Sequence, residues 1–175
     1  MVKCHTAYTR RAPRVHRCVA AFALALMLGG CAAQVSSPSA GQATIAARNP
    51  TVAFGGTSRF EAARFAGQWQ TVACIGSCAA QVIYQTAGAD ALIRITPAGQ
   101  QIYKVTAPGV LRGTDTLVVM WVDTGFRTAA VGDADGTWAA ILDRRRPGGA
   151  DRITAAREIL DFNGWDTSKL REING

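Results

Sequence analysis

Gly67-Gln68-Trp69 begins the stretch of sequence that decides the fold, which runs to Arg144. Short runs rich in β-branched and aromatic residues alternate here with turn signals such as Pro97-Ala98-Gly99 and Asp133-Ala134-Asp135-Gly136. The runs predict strands at 68–75, 80–87, 90–96, 100–106, 115–123, 126–132 and 137–143. Consecutive strands joined by tight turns favour an antiparallel up-and-down meander. Seven or eight such strands remove their exposed edges most simply by closing into a barrel.

One C-terminal helix is predicted after the strands, packed outside the barrel. Asp151 is a capping residue, and Asn163-Gly164 is a stop signal. Between them an apolar stripe lies on one helix face: Ile153, Ala156, Ile159 and Leu160. A shorter helix is predicted to start at Thr57-Ser58-Arg59-Phe60-Glu61, because capping residues precede an acid there. The fold class is therefore mainly all-β.

The first thirty residues have the features of a secretory signal. Five basic residues and no acid precede the apolar run Val19–Leu28, and two small residues, Gly29 and Gly30, follow it. An apolar run of this length is too short to span a bilayer as a helix. Residues 1–30 are therefore predicted to be a signal peptide.

Leu28-Gly29-Gly30-Cys31 resembles the lipobox of bacterial lipoproteins. The resemblance implies that Cys31 becomes the first residue and carries acyl chains such as palmitate, and more than one chain gives stable membrane anchoring. Ala32 in the next position implies sorting to the periplasmic face of the outer membrane. Residues 31–56, rich in Ala, Ser, Gln, Gly and Pro, are predicted to be a flexible tether. The barrel domain is then 57–175.

Charge and composition exclude several function classes. Without residues 1–30 the chain has 14 basic and 12 acidic residues, a net charge of +2, which gives no reason to expect nucleic-acid binding. Both histidines, His5 and His16, lie in the leader. Their loss argues against Ser-His-Asp or Cys-His catalysis and against a zinc site. No enzyme activity, cofactor or metal is predicted.

Cys74 and Cys78 are the two cysteines left after the leader and Cys31. An oxidising compartment favours a disulfide between them. A redox-active pair and two free thiols are the alternatives.

Three segments resemble, in order, the three motifs of the lipocalin family. Gly67-Gln68-Trp69 matches the G-x-W motif, Asp123-Thr124-Gly125-Phe126 resembles the second motif, and Ile141-Leu142-Asp143-Arg144 resembles the third. The resemblance covers about 57–173, and residues 126–144 and 164–170 are similar to bacterial outer-membrane lipocalins. It implies that Arg144 packs over Trp69 and that a barrel-closing set seals the base: Gly67, Trp69, Asp123, Phe126 and Arg144.

The interior of such a barrel is predicted from the alternation of side chains along each strand. On the first strand this alternation places Trp69, Thr71, Ala73 and Ile75 inside. The predicted ligand-lining set is Ala73, Tyr84, Ile93, Tyr103, Trp121, Ala130, Trp138 and Ala140. The stretch from Trp69 to Phe126 is short for a lipocalin, which leaves the size of any cavity open.

Together these features favour a membrane-anchored lipocalin that binds or carries a small hydrophobic ligand of fatty-acid or lysophospholipid class, without covalent catalysis. One alternative is a periplasmic protease-inhibitor barrel. Another is an envelope scaffold with a filled core, which an interior lacking a cavity of at least about 300 Å³ would favour. Arg144-Arg145-Arg146 is interpreted as a solvated turn, with a phosphate or lipid-headgroup patch as the alternative.

Overall fold

The computed structural model describes residues 46–173, so the predicted signal peptide, Cys31 and the tether up to residue 45 lie outside the described residues. Its strands are β1 (Gly67–Ile75), β2 (Gln81–Thr86), β3 (Ala91–Thr96), β4 (Gly99–Ala107), β5 (Val110–Arg112), β6 (Thr116–Val122), β7 (Thr128–Asp133), β8 (Ala139–Asp143) and β9 (Arg171–Glu172). Its helices are α1 (Ala62–Phe65) and α2 (Ala150–Phe162), with a 3₁₀ turn at Thr167–Lys169.

Strands β1 to β8 form a closed antiparallel barrel. Each strand pairs with the next along the chain, and β1 pairs with both β2 and β8, which closes the ring. The short β9 pairs with the C-terminal part of β1, at Ala73 and Cys74. This confirms the predicted fold, a barrel with one C-terminal helix outside. Seven of the eight strands match the predicted ones. The additional strand is β5, which the sequence pattern missed because three residues are too few to show alternation.

Apolar side chains form one cluster inside the barrel and another between the barrel and α2. The inner cluster includes Trp69, Tyr84, Leu92, Tyr103, Leu117 and Leu142. The outer cluster includes Val118, Ala130, Ile141, Ala156, Leu160 and Trp165, and it holds α2 against β6, β7 and β8. Trp165 packs so closely on β7 that a Cβ at Gly132 would lie 2.6 Å from its ring. A side chain at that position would displace the Trp165 ring.

Three β-bulges change which side chains face inward. The register shifts between Thr71 and Ala73 on β1, between Val105 and Ala107 on β4, and between Val119 and Trp121 on β6. A bulge adds one residue to a strand, so the alternation reverses beyond it. Ala73 therefore lies in the outer cluster, and Trp121 packs against that cluster from outside.

Residues 46–56, which the sequence assigned to the flexible tether, lie against the barrel. The backbone N–H of Ala47 donates to Gly136 O at 2.8 Å, and that of Asn49 donates to Gly164 O at 2.7 Å. The Arg48 guanidinium is buried and donates through Nε to Asn163 O at 2.8 Å. The packed domain thus includes residues from 46 onward. Composition alone does not reveal this, because backbone bonds, Arg48 and the packing of Ala47 and Phe54 on the outer cluster hold the segment.

Both helices start at residues other than those the capping signals indicated. α1 begins at Ala62, and Thr57 instead accepts a bond at Oγ1 from the N–H of Arg59 at 3.3 Å. The N-cap of α2 is Gly149, while Asp151 lies in the first turn. The predicted stop is correct, since α2 ends at Phe162 with Asn163 as its C-cap.

None of the helices between residues 46 and 173 is both long enough and apolar enough to cross a lipid bilayer.

Leu160 and Phe162 allow a test of how α2 packs, since Leu160 is fully buried and Phe162 is 79 % exposed. We expect Leu160→Ala to lower the free energy of unfolding by about 2–5 kcal/mol through loss of buried contacts. Phe162→Ala should change it by less than about 0.5 kcal/mol. Urea unfolding measures both values. Equal effects of the two substitutions would contradict the packing of α2 on β6–β8.

Candidate functional site

Trp69 and Arg144 seal one end of the barrel. Trp69 is fully buried, and its indole Nε1 donates to Phe65 O at 2.8 Å. The Arg144 Cζ lies 3.7 Å from the centre of the Trp69 ring, which is a close cation–π contact. The indole is therefore held from one edge by α1 and covered on one face by a guanidinium.

The same guanidinium binds the backbone around it. It donates to five carbonyls, at 2.9–3.2 Å: those of Arg64, Phe65, Ala66, Gln68 and Phe126. Gly67 has φ +108° and approaches so closely that a Cβ there would lie 2.8 Å from Arg144 Nη1. Burial lowers the pKa of Arg144 from its usual value, but guanidinium groups stay protonated in proteins. Arg144 thus joins α1, the start of β1 and the β6–β7 turn.

Asp123 organises the β6–β7 turn at this end. Its carboxylate accepts from the backbone N–H of Thr128 at 2.8 Å and from Arg127 Nε at 3.0 Å. Burial opposes ionisation of Asp123, but the hydrogen bonds from Thr128, Arg127 and Gly125 outweigh it and lower its pKa. Phe126, at φ +52°, packs under the Arg64 guanidinium at 4.1 Å. All five residues of the barrel-closing set meet here.

At the opposite end, which we call the mouth, Arg94 on β3 points into the barrel. It lies directly across the strand pair from Tyr84, which faces inward. Its Cζ is 5.2 Å from the centre of the Trp138 ring. The Arg94 Nε is buried and has no hydrogen-bond partner, and within residues 46–173 no carboxylate forms a salt bridge with Arg94. Arg94 is therefore a cation inside the barrel with an unused donor.

The polar groups around Arg94 include Tyr84 and Gln101, which pair with it on β2 and β4, together with Tyr103 and Asp115. The Tyr103 hydroxyl donates to Asp115 Oδ1 at 2.7 Å, and Gln101 Nε2 donates to the same oxygen at 2.7 Å. Burial raises the pKa of Tyr84 to about 12, although the adjacent Arg94 charge opposes this. Burial, reinforced by Asp115, also raises the pKa of Tyr103. Both phenols are neutral donors at neutral pH.

Arg94 contacts two spaces of different size. The gap inside the barrel, between Tyr84, Arg94, Trp138 and their apolar neighbours, measures about 10 Å³. A shallow recess of about 180 Å³ lies at the rim against Arg94, Thr96 and Gln101. The inner gap holds at most one water molecule, so side chains fill this part of the barrel.

The predicted ligand-lining residues divide into two groups. Tyr84, Tyr103 and Ala140 lie in the inner cluster, and Trp138 packs against it. The other four positions were wrong, because they face outward: Ala73, Ile93, Trp121 and Ala130. The bulges reverse the alternation for Ala73 and Trp121, and Ala130 pairs directly with Trp121. As ligand contacts, the four inner residues stay predictions.

Ile93 faces outward for a different reason, which also explains why Arg94 was missed. On β3, Leu92 pairs with the buried Tyr103, so Leu92 and Arg94 face inward while Ile93 and Ile95 face outward. Ordinary patterning places isoleucine inside and arginine outside. The inward side chains of the neighbouring strands reveal the reversed arrangement, which the sequence of β3 alone does not.

The predicted disulfide between Cys74 and Cys78 is confirmed. It closes the turn between β1 and β2, and Cys78 lines the inner gap together with Trp138. The bond therefore fixes one side of the mouth. In the part of the chain that the structure describes, no three His, Cys, Asp or Glu side chains are grouped to hold a metal ion.

Arg144→Lys keeps the charge over Trp69 but loses the planar fork of donors. We expect it to lower the free energy of unfolding by about 1–3 kcal/mol, because the partly buried carbonyls of Phe65, Ala66 and Phe126 lose their partners. Arg145→Lys, at the exposed neighbouring position, is the matched control and should change stability by less than about 0.5 kcal/mol. Chemical unfolding followed by tryptophan fluorescence measures both. A small effect of Arg144→Lys would show that the guanidinium does not seal the base.

The lowered pKa of Asp123 predicts a pH dependence of stability. A carboxyl whose folded pKa lies below its unfolded value of about 3.9 stabilises the fold above that pH, and this stabilisation is lost as pH falls through the folded pKa. We therefore expect the wild type to lose stability below about pH 4. Asp123→Asn should be less stable at pH 7 and show a smaller loss on acidification. Asp135→Asn, in an exposed turn, should follow the wild type in urea unfolding at pH 7, 4 and 3.

Among known proteins, similarity to this chain is found at the level of solved structures. No protein-family model matches the chain, and no curated protein matches it. Similar solved structures include the siderocalin Ex-FABP, with 17 % identity and a TM-score of 0.49 over 64 % of this chain and 95 % of that one. They also include lobster apocrustacyanin A1, with 13 % identity and a TM-score of 0.49 over 65 % and 79 % of the two chains. Both are lipocalin-fold proteins.

Proposed function

We propose that the chain is a lipid-anchored, non-enzymatic barrel that binds a small amphiphile with an anionic head group, of fatty-acid or lysophospholipid class. The observation that carries this proposal is Arg94, a cation inside the mouth with a buried donor that no described residue accepts from. Its proposed location is the periplasmic face of the outer membrane. The lipobox at Leu28–Cys31 supports the anchor.

An unpaired donor next to a filled interior needs an explanation. Leaving a buried polar group without a partner costs about 1–3 kcal/mol, so such a group in a folded protein calls for a reason, such as strain, a bound water or ion, or a functional role. Asp115, the carboxylate near this cluster, already accepts bonds from Tyr103 and Gln101. A carboxylate or phosphate in the rim recess would supply Arg94 with its missing acceptor, and charge-assisted bonds are among the stronger ones.

The apolar tail of such a ligand needs room that the inner gap of about 10 Å³ does not provide. Trp138 is the side chain most suited to make room, since it is only partly buried and lies where the β7–β8 hairpin meets the mouth. Swinging it outward would expose the apolar wall formed by Val82, Val131 and Ala140. Ligand entry is thus coupled to displacement of Trp138 and of the Arg94 side chain next to it.

A specific observation favours a second candidate function, the envelope scaffold with a filled core. The space against Tyr84, Arg94 and Trp138 is far below the roughly 300 Å³ of a usual ligand cavity. If Trp138 does not move, the barrel is a rigid anchored module. The protease-inhibitor alternative has less support, because residues 47–49 bond to the barrel instead of leaving it as a free trunk.

Ligand binding distinguishes the two candidates. The mature lipoprotein is held in lipid nanodiscs and titrated with decanoate, with 1-decanol as the uncharged match. We expect a saturable change in tryptophan fluorescence, because Trp138 moves. Decanoate should bind at least about tenfold more tightly than decanol, the equivalent of one charge-assisted bond. Absence of any saturable change with either compound supports the filled-core scaffold and contradicts the carrier.

Substitution of Arg94 tests the head-group contact. Arg94→Met keeps the length and apolar stem of the side chain and removes its donors, so it should weaken decanoate binding by about tenfold or more and leave decanol unchanged. Arg112→Met, at an exposed position on β5, is the control and should bind decanoate like the wild type. Equal affinities of Arg94→Met and wild type for decanoate would rule out this role of Arg94.

A further inference from the structure

The outer wall of β1 to β4 has an unusual composition. Four isoleucines lie on it in two neighbouring cross-strand pairs: Ile83 with Ile95, and Ile93 with Ile102. Five glutamines pair with these residues or with each other on the same side: Gln68, Gln70, Gln81, Gln85 and Gln100. We call this surface the isoleucine–glutamine face. Directly paired residues of antiparallel strands point to the same side of a sheet, so the face is continuous across four strands.

Nothing in the described chain covers this face. α2 packs on β6, β7 and β8, and it leaves the wall of β2–β4 open within residues 46–173. Ile102 is 66 % exposed, and Ile83, Ile93 and Ile95 are partly exposed. Single exposed apolar residues are common on protein surfaces, whereas contiguous apolar patches mark interaction sites. The reversed patterning of β3, with Arg94 inside, is what places two of these isoleucines outside.

The isoleucines and glutamines of the face carry no charge. Charged side chains lie at its edge: Lys104, whose Nζ is 3.9 Å from the carboxylate of Asp90, and Arg112, which pairs with Lys104 from β5. The remaining polar side chains are glutamines, and each carries both donors and an acceptor. This differs from the closed end, where the described segments 57–67, 123–128 and 143–152 contain seven arginines and four acids. A charged partner therefore finds no complement on the face.

We infer that the isoleucine–glutamine face packs against the same face of a second copy of this chain. A two-fold interface brings a patch against itself, so a patch with an excess of one charge repels its copy, and an uncharged patch avoids that repulsion. Glutamine pairs well with glutamine, because one amide donates while the other accepts. Isoleucine rows on both copies then become buried. The inference is independent of the ligand proposed above.

The first test uses cysteine cross-linking of the full chain in the cell envelope. Ile102→Cys lies within the face, and Phe162→Cys, at the other strongly exposed apolar position, is the matched control. Cys74 and Cys78 are already bonded to each other. We expect oxidation to give at least about tenfold more disulfide-linked dimer from Ile102→Cys than from Phe162→Cys. Equal yields from the two variants would overturn the inference.

The second test measures association directly. Sedimentation of the purified lipoprotein in detergent should show a dimer, and Ile93→Glu should raise its dissociation constant by about a hundredfold, while Phe162→Glu should not change it. Circular dichroism checks that each variant is folded. A monomeric wild type would overturn the inference, and so would selective quenching of a label at position 102 by spin-labelled lipids, which would identify a bilayer as the occupant.

Discussion

The guanidinium of Arg144 is the contact on which the barrel depends. It donates to five backbone carbonyls from α1, β1 and the β6–β7 turn, and it covers the ring of Trp69 at 3.7 Å. Carbonyls at a helix end and in turns have no partner within their own element, so they need water or a side-chain donor. One planar cation satisfies several of them at once, and a point charge such as ammonium does not. The early part of the domain is thus bonded to the end of β8.

The sequence predicted the features that depend on residues close together in the chain, and it missed those that depend on contacts between distant residues. Strand order, barrel closure, α2 and the Trp69–Arg144 contact all follow from local turn signals or from motifs at fixed places. The inward direction of side chains did not follow beyond the bulges at Val72 and Met120, because a bulge leaves no clear trace in a single sequence. Strand β5 was missed because three residues are too few to show a period, and the packed segment 46–56 was missed because Arg48, Ala47 and Phe54 hold it through contacts with residues far along the chain.

At the candidate site, too, the sequence predicted some of the inward-facing residues and missed their neighbour on β3. Tyr84 and Tyr103 were assigned to the interior correctly from alternation, and their neighbour Arg94 was not. A rule that keeps arginine outside gives the wrong face for all of β3, since side chains on a strand alternate strictly. The pairings of Leu92 with Tyr103 and of Arg94 with Tyr84, which are contacts between different strands, show which way β3 faces.

Strand β3 therefore departs from ordinary patterning on both of its faces, and the two departures have one cause. Turning Arg94 outward would require the whole strand to reverse, which would bring Ile93 and Ile95 inside and Leu92 outside. That arrangement would satisfy patterning at Ile93, Arg94 and Ile95 but not at Leu92, and the register with β2 and β4 excludes it. A fold keeps a locally unfavourable arrangement where function requires it. An anion would give the buried donor of Arg94 an acceptor, and a second copy would cover the exposed isoleucines. Each would therefore offset the unfavourable arrangement on one face of β3.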